Sequence, residues 1–323
     1  MYSLIVRNNI DIKKLNYKFM SLNENGIYLL QTNLDKVCWS SLSSNPNVIP
    51  LLEKNQDKID WYYLSANPNA IKLLNDNPSK INWYKISSNP NAINIIKNNL
   101  NNICWTSLSE NPNAIEILKA NHDKIDWITI SSNPNAINII KNNLNKINWD
   151  YLSCNSNNLA LKLLRNNPNK INWNYLSSNI NNLAIEILIE NFEKINWDYL
   201  SCNSNNNALK LLTNNFDKIN WKYLSYNKNP LSIKLLKDNS DKIDWYAISK
   251  NPNAIELLLE NPDKIDWFAI SKNPAIFTYP YKEIKNNFEL LGQEIIEKSL
   301  HPKRMLRLMD LYGQDEIYNC YFE

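Results

Sequence analysis

Residues 55–77, NQDKIDWYYLSANPNAIKLLNDN, decide the fold, because most of the chain consists of copies of them. Tryptophan sets the register. Trp39, Trp61, Trp83, Trp105, Trp127 and Trp149 lie 22 residues apart, Trp173, Trp197, Trp221 and Trp245 follow at steps of 24, and Trp267 closes the series at 22. A fixed period of this length marks a repeat protein whose short units bury their apolar faces only against one another.

Within the unit, Asp60 stands where an N-cap belongs, and Asp or Asn holds this place in nine of the eleven tryptophan units. A short helix follows, with Trp61 and Leu64 on one face. Serine recurs four residues after every tryptophan and asparagine six after it. Asn67-Pro68 then reads as N-cap and first residue of a second helix, with Ala70, Ile71, Leu73 and Leu74 as its buried stripe. Asn77 belongs to a column that is asparagine in all eleven units, which predicts a left-handed C-terminal stop followed by a Schellman-type apolar contact. A leucine-rich repeat has a similar period, but its LxxLxLxxN spacing does not fit IDWYYLSAN. Helices of about two turns do not survive alone in water, so stacking must hold them and the tryptophans serve mainly as glue.

The predicted fold class is therefore all-α: a helical-repeat solenoid of about twelve two-helix units of 22–24 residues, spanning 1–277. Residues 12–33 form an atypical first repeat with Tyr17 in the tryptophan place, divergence that a water-facing end would explain. Four repeats around 149–244 carry two extra residues between the asparagine and the second helix, which should widen one loop edge. Residues 278–323 form a helical C-terminal cap or docking segment. Its apolar spacing over Ile284, Phe288, Leu291, Ile295 and Ile296 predicts one helix, and His301-Pro302 starts another with Lys303, Arg304 and Arg307 as a basic docking face.

Composition narrows the class. The 323 residues are 44% apolar and 21% charged with a net charge of +3, too small an excess to suggest nucleic acid or anionic membrane. No apolar run reaches the ~18 residues of a membrane span, and the start MYSLIVRNNIDIKKL lacks a signal-peptide pattern. An intracellular, monomeric protein that does not bind membranes is expected. Cys38 and Cys104 precede tryptophans three repeats apart, and Cys154 and Cys202 follow tryptophans two repeats apart. At ~8–10 Å per stacked helix these pairs exceed disulfide reach and read as small space-fillers.

Tandem copies of DKIDWxxLSxNPNAIxLL over residues 17–277 resemble repeat proteins of giant, mimivirus-like DNA viruses. The HPKR segment of the tail looks similar to endings of that group, and the Asn, Ile and Lys bias suits an AT-rich viral genome. The resemblance implies a viral origin, placing the protein in host cytoplasm or a viral factory. It says little of activity, and the expanded units depart from the NPNA pattern.

Chemistry is sparse. The two histidines, His122 and His301, lie far apart along the array, and neither finds a serine–acid partner at catalytic spacing. Zinc spacing and glycine-rich phosphate loops are absent. No enzyme, metal or cofactor is expected. Two columns could carry recognition. Tyr151, Tyr175, Tyr199 and Tyr223, two residues after tryptophan in the expanded units, share their register with Tyr63 and suit a protein interface. The alternative is that these rings pack between adjacent first helices. Lysine recurs three residues before tryptophan: Lys36, Lys58, Lys80, Lys124, Lys146, Lys170, Lys194, Lys218, Lys242 and Lys264. That stripe could track a polyanion, although an acid precedes seven of the ten, and a solvated turn with weak pairing is the competing reading. The position one after tryptophan varies freely and is the place to look for specificity. These features favour a non-enzymatic protein-interaction scaffold or adaptor, with an extended surface ~100 Å long, binding a host or viral protein. Nucleic-acid binding through the lysine column and a structural role in a particle or filament are the rival readings.

Overall fold

The structure, a computed structural model, describes residues 4–314, 316 and 317. The last tail residues, 318–323, lie outside the described part. The chain divides into residues 6–277 and a second unit formed by 1–5 with 278–323.

Residues 6–277 are all-α repeats. In the repeat around Trp61 a 3-10 turn, Gln56–Lys58, leads to a first helix, Trp61–Ser65, and a second, Ile71–Asp76. Asp60 caps the first helix, its carboxylate accepting from the Tyr62 and Tyr63 N–H groups at 3.2 and 3.4 Å. Leu64, Ala70 and Leu74 are fully buried and Leu73 nearly so. Each large side chain withdrawn from water in this way contributes about 1.5–3 kcal/mol.

Both asparagine assignments need correction. Asn67 does not begin the second helix. Its Oδ1 accepts from the Asn69 N–H at 3.0 Å, closing a turn, and the helix starts at Ile71 after Ala70. Four units shape this turn as a proline-led 3-10 segment, Pro46–Val48, Pro134–Ala136, Pro252–Ala254 and Pro274–Ile276, and there the column asparagine does act as N-cap with proline first, but of the 3-10 segment. The Asn77 column does not adopt the left-handed conformation. Asn77 sits at φ −133°, ψ 59°, and no described non-glycine residue has positive φ. Its side-chain amide instead donates to the Leu73 carbonyl four residues back at 3.0 Å, satisfying a helix-end acceptor that would otherwise lack a partner. All eleven members of the column make this bond. The residue that follows turns forward: Phe192 and Phe216 pack edge-on against Trp197 and Trp221 at 5.4 and 5.1 Å.

The serine and Asn-Pro-Asn columns are the seams between units. Ser43 Oγ accepts from the Asp60 N–H of the next unit at 3.0 Å. Buried Asn67 donates through Nδ2 to the Ser43 and Asn45 carbonyls of the previous unit, both at 3.0 Å. Asn69 reaches the Pro46 carbonyl at 3.0 Å. The buried rung recurs along the array to Asn273, with Asn251 keeping one of its two bonds. A backbone acceptor sealed from water is costly to leave unmet, so the serine and the first asparagine recur in every unit.

The array closes on itself. Asn23 of the first unit donates to the Ser271 and Asn273 carbonyls of the twelfth at 3.1 and 3.0 Å. The Asn16 N–H donates to Ser271 Oγ at 2.9 Å, and Asn25 reaches the Pro274 carbonyl at 3.1 Å. These are the three kinds of bond that join other neighbouring units. Phe19 packs edge-on against Phe268 at 5.7 Å, and Lys14 lies 4.9 Å from the Trp267 ring. Arg7 fastens the join, donating to the Ala275 carbonyl at 2.8 Å and to Glu256 at 3.1 Å. The two-residue strands Ile5–Val6 and Phe277–Thr278 pair beside it. Residues 6–277 therefore form a ring of twelve units, each turning the chain by about 30°. The extended surface expected of an open array is absent. The first unit diverges for a different reason from a water-facing end: its outer face meets unit twelve.

In a ring, spacing grows with radius. First helices pack on first helices round the array, whereas second helices pack closely on one another only among Asn158–Arg165, Asn182–Glu190 and Asn206–Thr213. The first helices therefore form the inner layer. At ~8–10 Å between neighbours and 10–12 Å per helix, twelve of them enclose an opening roughly 20–25 Å wide.

The expanded units also differ from expectation. Their extra residues extend the second helix to eight or nine residues, capped by Asn157, Asn181, Asn205 and Asn229, and do not widen a loop.

In the second unit, helix Tyr281–Ser299 buries none of its residues. The apolar spacing did mark a helix, but Phe288, Leu291, Ile295 and Ile296 are at least half exposed on it. Helix Pro302–Tyr312 buries Met305, and His301 caps it, Nδ1 accepting from the Lys303 N–H at 3.3 Å. Lys303, Arg304 and Arg307 are exposed.

Candidate interaction surface

In the repeat around Trp61 the side of the first helix opposite buried Leu64 and Ser65 carries exposed Tyr62 and Tyr63 and half-buried Ala66, one, two and five residues after the tryptophan. With the first helices innermost, these three rows form the inner wall, although Ser107, Ala247 and Ala269 of the middle row are buried.

The tyrosine column lies on this wall. Tyr63, Tyr151, Tyr175, Tyr199 and Tyr223 are each 37–43% exposed. They also touch: Tyr151 meets Tyr175 edge-on at 6.2 Å, Tyr199 meets Tyr223 at 6.5 Å, and Tyr63 pairs with Tyr62 at 5.2 Å. Packing between first helices and presentation to solvent therefore coexist. Rings braced by a neighbour lose less freedom on binding, which suits them as anchors. The row before them varies as expected, but part of it is tied down. Asp150, Asn174 and Asp198 accept from the cap residues Asn172, Asn196 and Asn220 of the following units at 3.1, 2.7 and 2.7 Å.

The lysine column is placed differently. Lys80, Lys124, Lys146, Lys170 and Lys242 each set the ammonium 4.4–5.1 Å from the tryptophan ring of the preceding unit, and Lys36 does so over Tyr17 at 5.2 Å. Lys58, Lys218 and Lys264 pair with the adjacent Asp57, Asp217 and Asp263 at 3.2–3.5 Å. Lys194 shares the register and is exposed. Cation–ring contacts of this kind contribute about 0.5–1 kcal/mol at exposed sites. The column thus roofs the half-buried tryptophans. Nothing in the sequence signals this partnership, because each of these six lysines precedes its own tryptophan and covers the ring of the previous unit.

The cysteines are unpaired among the described residues. Hydrogen bonds from Ser41 hold the Cys38 thiol below its usual pKa although it is half-buried, while desolvation by neighbouring atoms pushes Cys154 and Cys202 up although both are exposed. At pH 7.5 Cys38 is expected to be the most thiolate-rich of the three, so iodoacetamide followed by peptide mass spectrometry should mark it before the other two. Equal rates would contradict the assignment.

Among the described residues no cluster of His, Cys, Asp or Glu could hold a metal ion, and no helix is long and apolar enough to cross a membrane. His122 packs edge-on against Trp127 at 5.2 Å. The fold is an all-α repeat protein. No protein-family model, curated protein or solved structure matches the chain.

Proposed function

We propose that the protein is a non-enzymatic protein-interaction scaffold that takes an extended segment of a partner protein against the inner wall of its ring. The residue pattern shared with giant-virus repeat proteins supports a viral scaffold acting inside the host cell on a host or viral protein. The observation that carries the reading is the column Tyr151, Tyr175, Tyr199 and Tyr223, whose rings touch in two pairs and stay partly exposed on consecutive first helices. Phenols that combine a large apolar face with a hydroxyl are the usual anchors of protein interfaces. Two rival readings lose support. The lysine column is engaged with tryptophan rings and aspartates, which weakens it as a phosphate track. A ring joined at unit twelve offers no free array end for head-to-tail filament growth.

Affinity capture from infected-cell lysate tests the proposal. A defined protein should be retained after nuclease treatment and at ~0.2 M salt. It should be lost when the four tyrosines are replaced by alanine, with the melting temperature little changed. Retention by the quadruple variant, or loss on nuclease treatment, would sink the reading.

A further inference from the structure

Ring closure brings together residues that the sequence keeps far apart. Units ten, eleven, twelve and one are consecutive on the inner wall, so Lys222, Lys250 and Lys272 continue directly to Lys18. In the three inward rows of these units no acidic residue occurs. The acids of the wall lie elsewhere, at Glu110, Asp150 and Asp198. The lysines are interleaved with rings: Lys250 lies 3.7 Å from the Tyr246 ring and Lys272 4.5 Å from Phe19, across the join. Beside them a cleft of about 590 Å³ opens at the join, lined in part by Lys18, Phe19, Val37 and Phe268 together with one carboxylate, Asp35, and its neighbour Lys36.

We infer that this arc binds an acidic, extended segment of the partner protein, its carboxylates meeting the four ammonium groups and an apolar or aromatic side chain entering the cleft. The inference rests on the scaffold reading and names the chemistry of the partner. Charge complementarity selects the occupant. A single-stranded nucleic acid fits less well for two reasons. Tyr246 and Phe19 already carry ammonium groups over their rings, whereas base stacking needs bare faces. The basic stretch also ends after four units and gives way to Asp198 and Asp150, which suits a short anionic segment better than a continuous polyphosphate.

The test is fluorescence anisotropy on the full chain with three labelled probes. These are a peptide of about twelve residues alternating glutamate with tyrosine and serine, the same peptide with glutamine for glutamate, and an oligothymidylate of equal charge. The acidic peptide is expected to bind about tenfold or more tighter than the other two at ~0.15 M salt. The variant Lys18→Gln, Lys222→Gln, Lys250→Gln, Lys272→Gln should lose that preference while melting as the parent does. Equal binding of the glutamine peptide, tighter binding of the oligonucleotide, no binding of the acidic peptide, or an unaltered affinity in the lysine variant would each overturn the inference. Should the lysine variant still capture the partner that the tyrosine variant loses, the scaffold reading survives and the acidic-segment inference alone falls.

Discussion

Asn133→Ala is expected to lower the free energy of unfolding by about 2–4 kcal/mol, among the largest effects of any polar substitution in the ring. Asn133 is 3% exposed, and its amide donates to the Ser109 and Asn111 carbonyls of the previous unit at 3.1 and 3.2 Å. Alanine removes both donors: the Ser109 carbonyl is left without a partner where water cannot replace it, at about 1–3 kcal/mol for an unsatisfied group, whereas the Asn111 carbonyl keeps its bond from the Ala114 N–H at 3.2 Å. It also removes the Oδ1 that shapes the following turn through the Asn135 N–H at 3.1 Å. Chemical denaturation with a control at exposed Ile128, where a change within about 0.5 kcal/mol is expected, checks the claim. A loss for Asn133→Ala no larger than the control would mean that the buried rungs do not hold the units together.

Asn23→Ala is expected to cost as much as Asn133→Ala. In an open array this result would be surprising, because terminal units fray and lend little to global stability. Here Asn23 makes the same two buried bonds to unit twelve that Asn133 makes to its own neighbour. The two variants should therefore share one denaturation midpoint within error. Matching effects support closure, whereas a nearly silent Asn23→Ala would show that units one and twelve are ordinary ends.

Much of this is legible in the residues. The tryptophan register, the helical character of each unit, the Asp60-type cap and the number of units all follow from local patterns of spacing and capping. The misreadings share a cause: they treat each residue as serving its own unit. Asn67 resembles a helix cap until its amide is seen to belong to the neighbouring unit. Asn77 resembles a left-handed stop, yet a side-chain amide can reach the fourth carbonyl back without any change of backbone hand. The lysine column reads as a solvated turn with weak pairing, and Lys58, Lys218 and Lys264 keep that reading, but the ring that six others cover belongs to the preceding unit. Closure itself is a sum of twelve small rotations, and no single unit encodes whether that sum reaches a full turn. The one hint lies in unit one, where Ser21 and Asn23 are kept although Trp has become Tyr17. A true end unit has no need of both seam residues. Without closure, the arc from Lys222 to Lys18 cannot be read from the sequence either.

The central claim is closure, and the most direct measurement is the distance across the join. Nitroxide labels would be placed at positions 18 and 268, one residue after Tyr17 and Trp267, in a background whose native cysteines are replaced. A second pair at positions 62 and 84, on adjacent units within the array, serves as the reference. The ring predicts strong dipolar broadening of equal size in both pairs. An open solenoid would keep the broadening at 62 and 84 and abolish it at 18 and 268, whose labels would then stand up to ~90–100 Å apart at ~8–10 Å per step, contradicting the account.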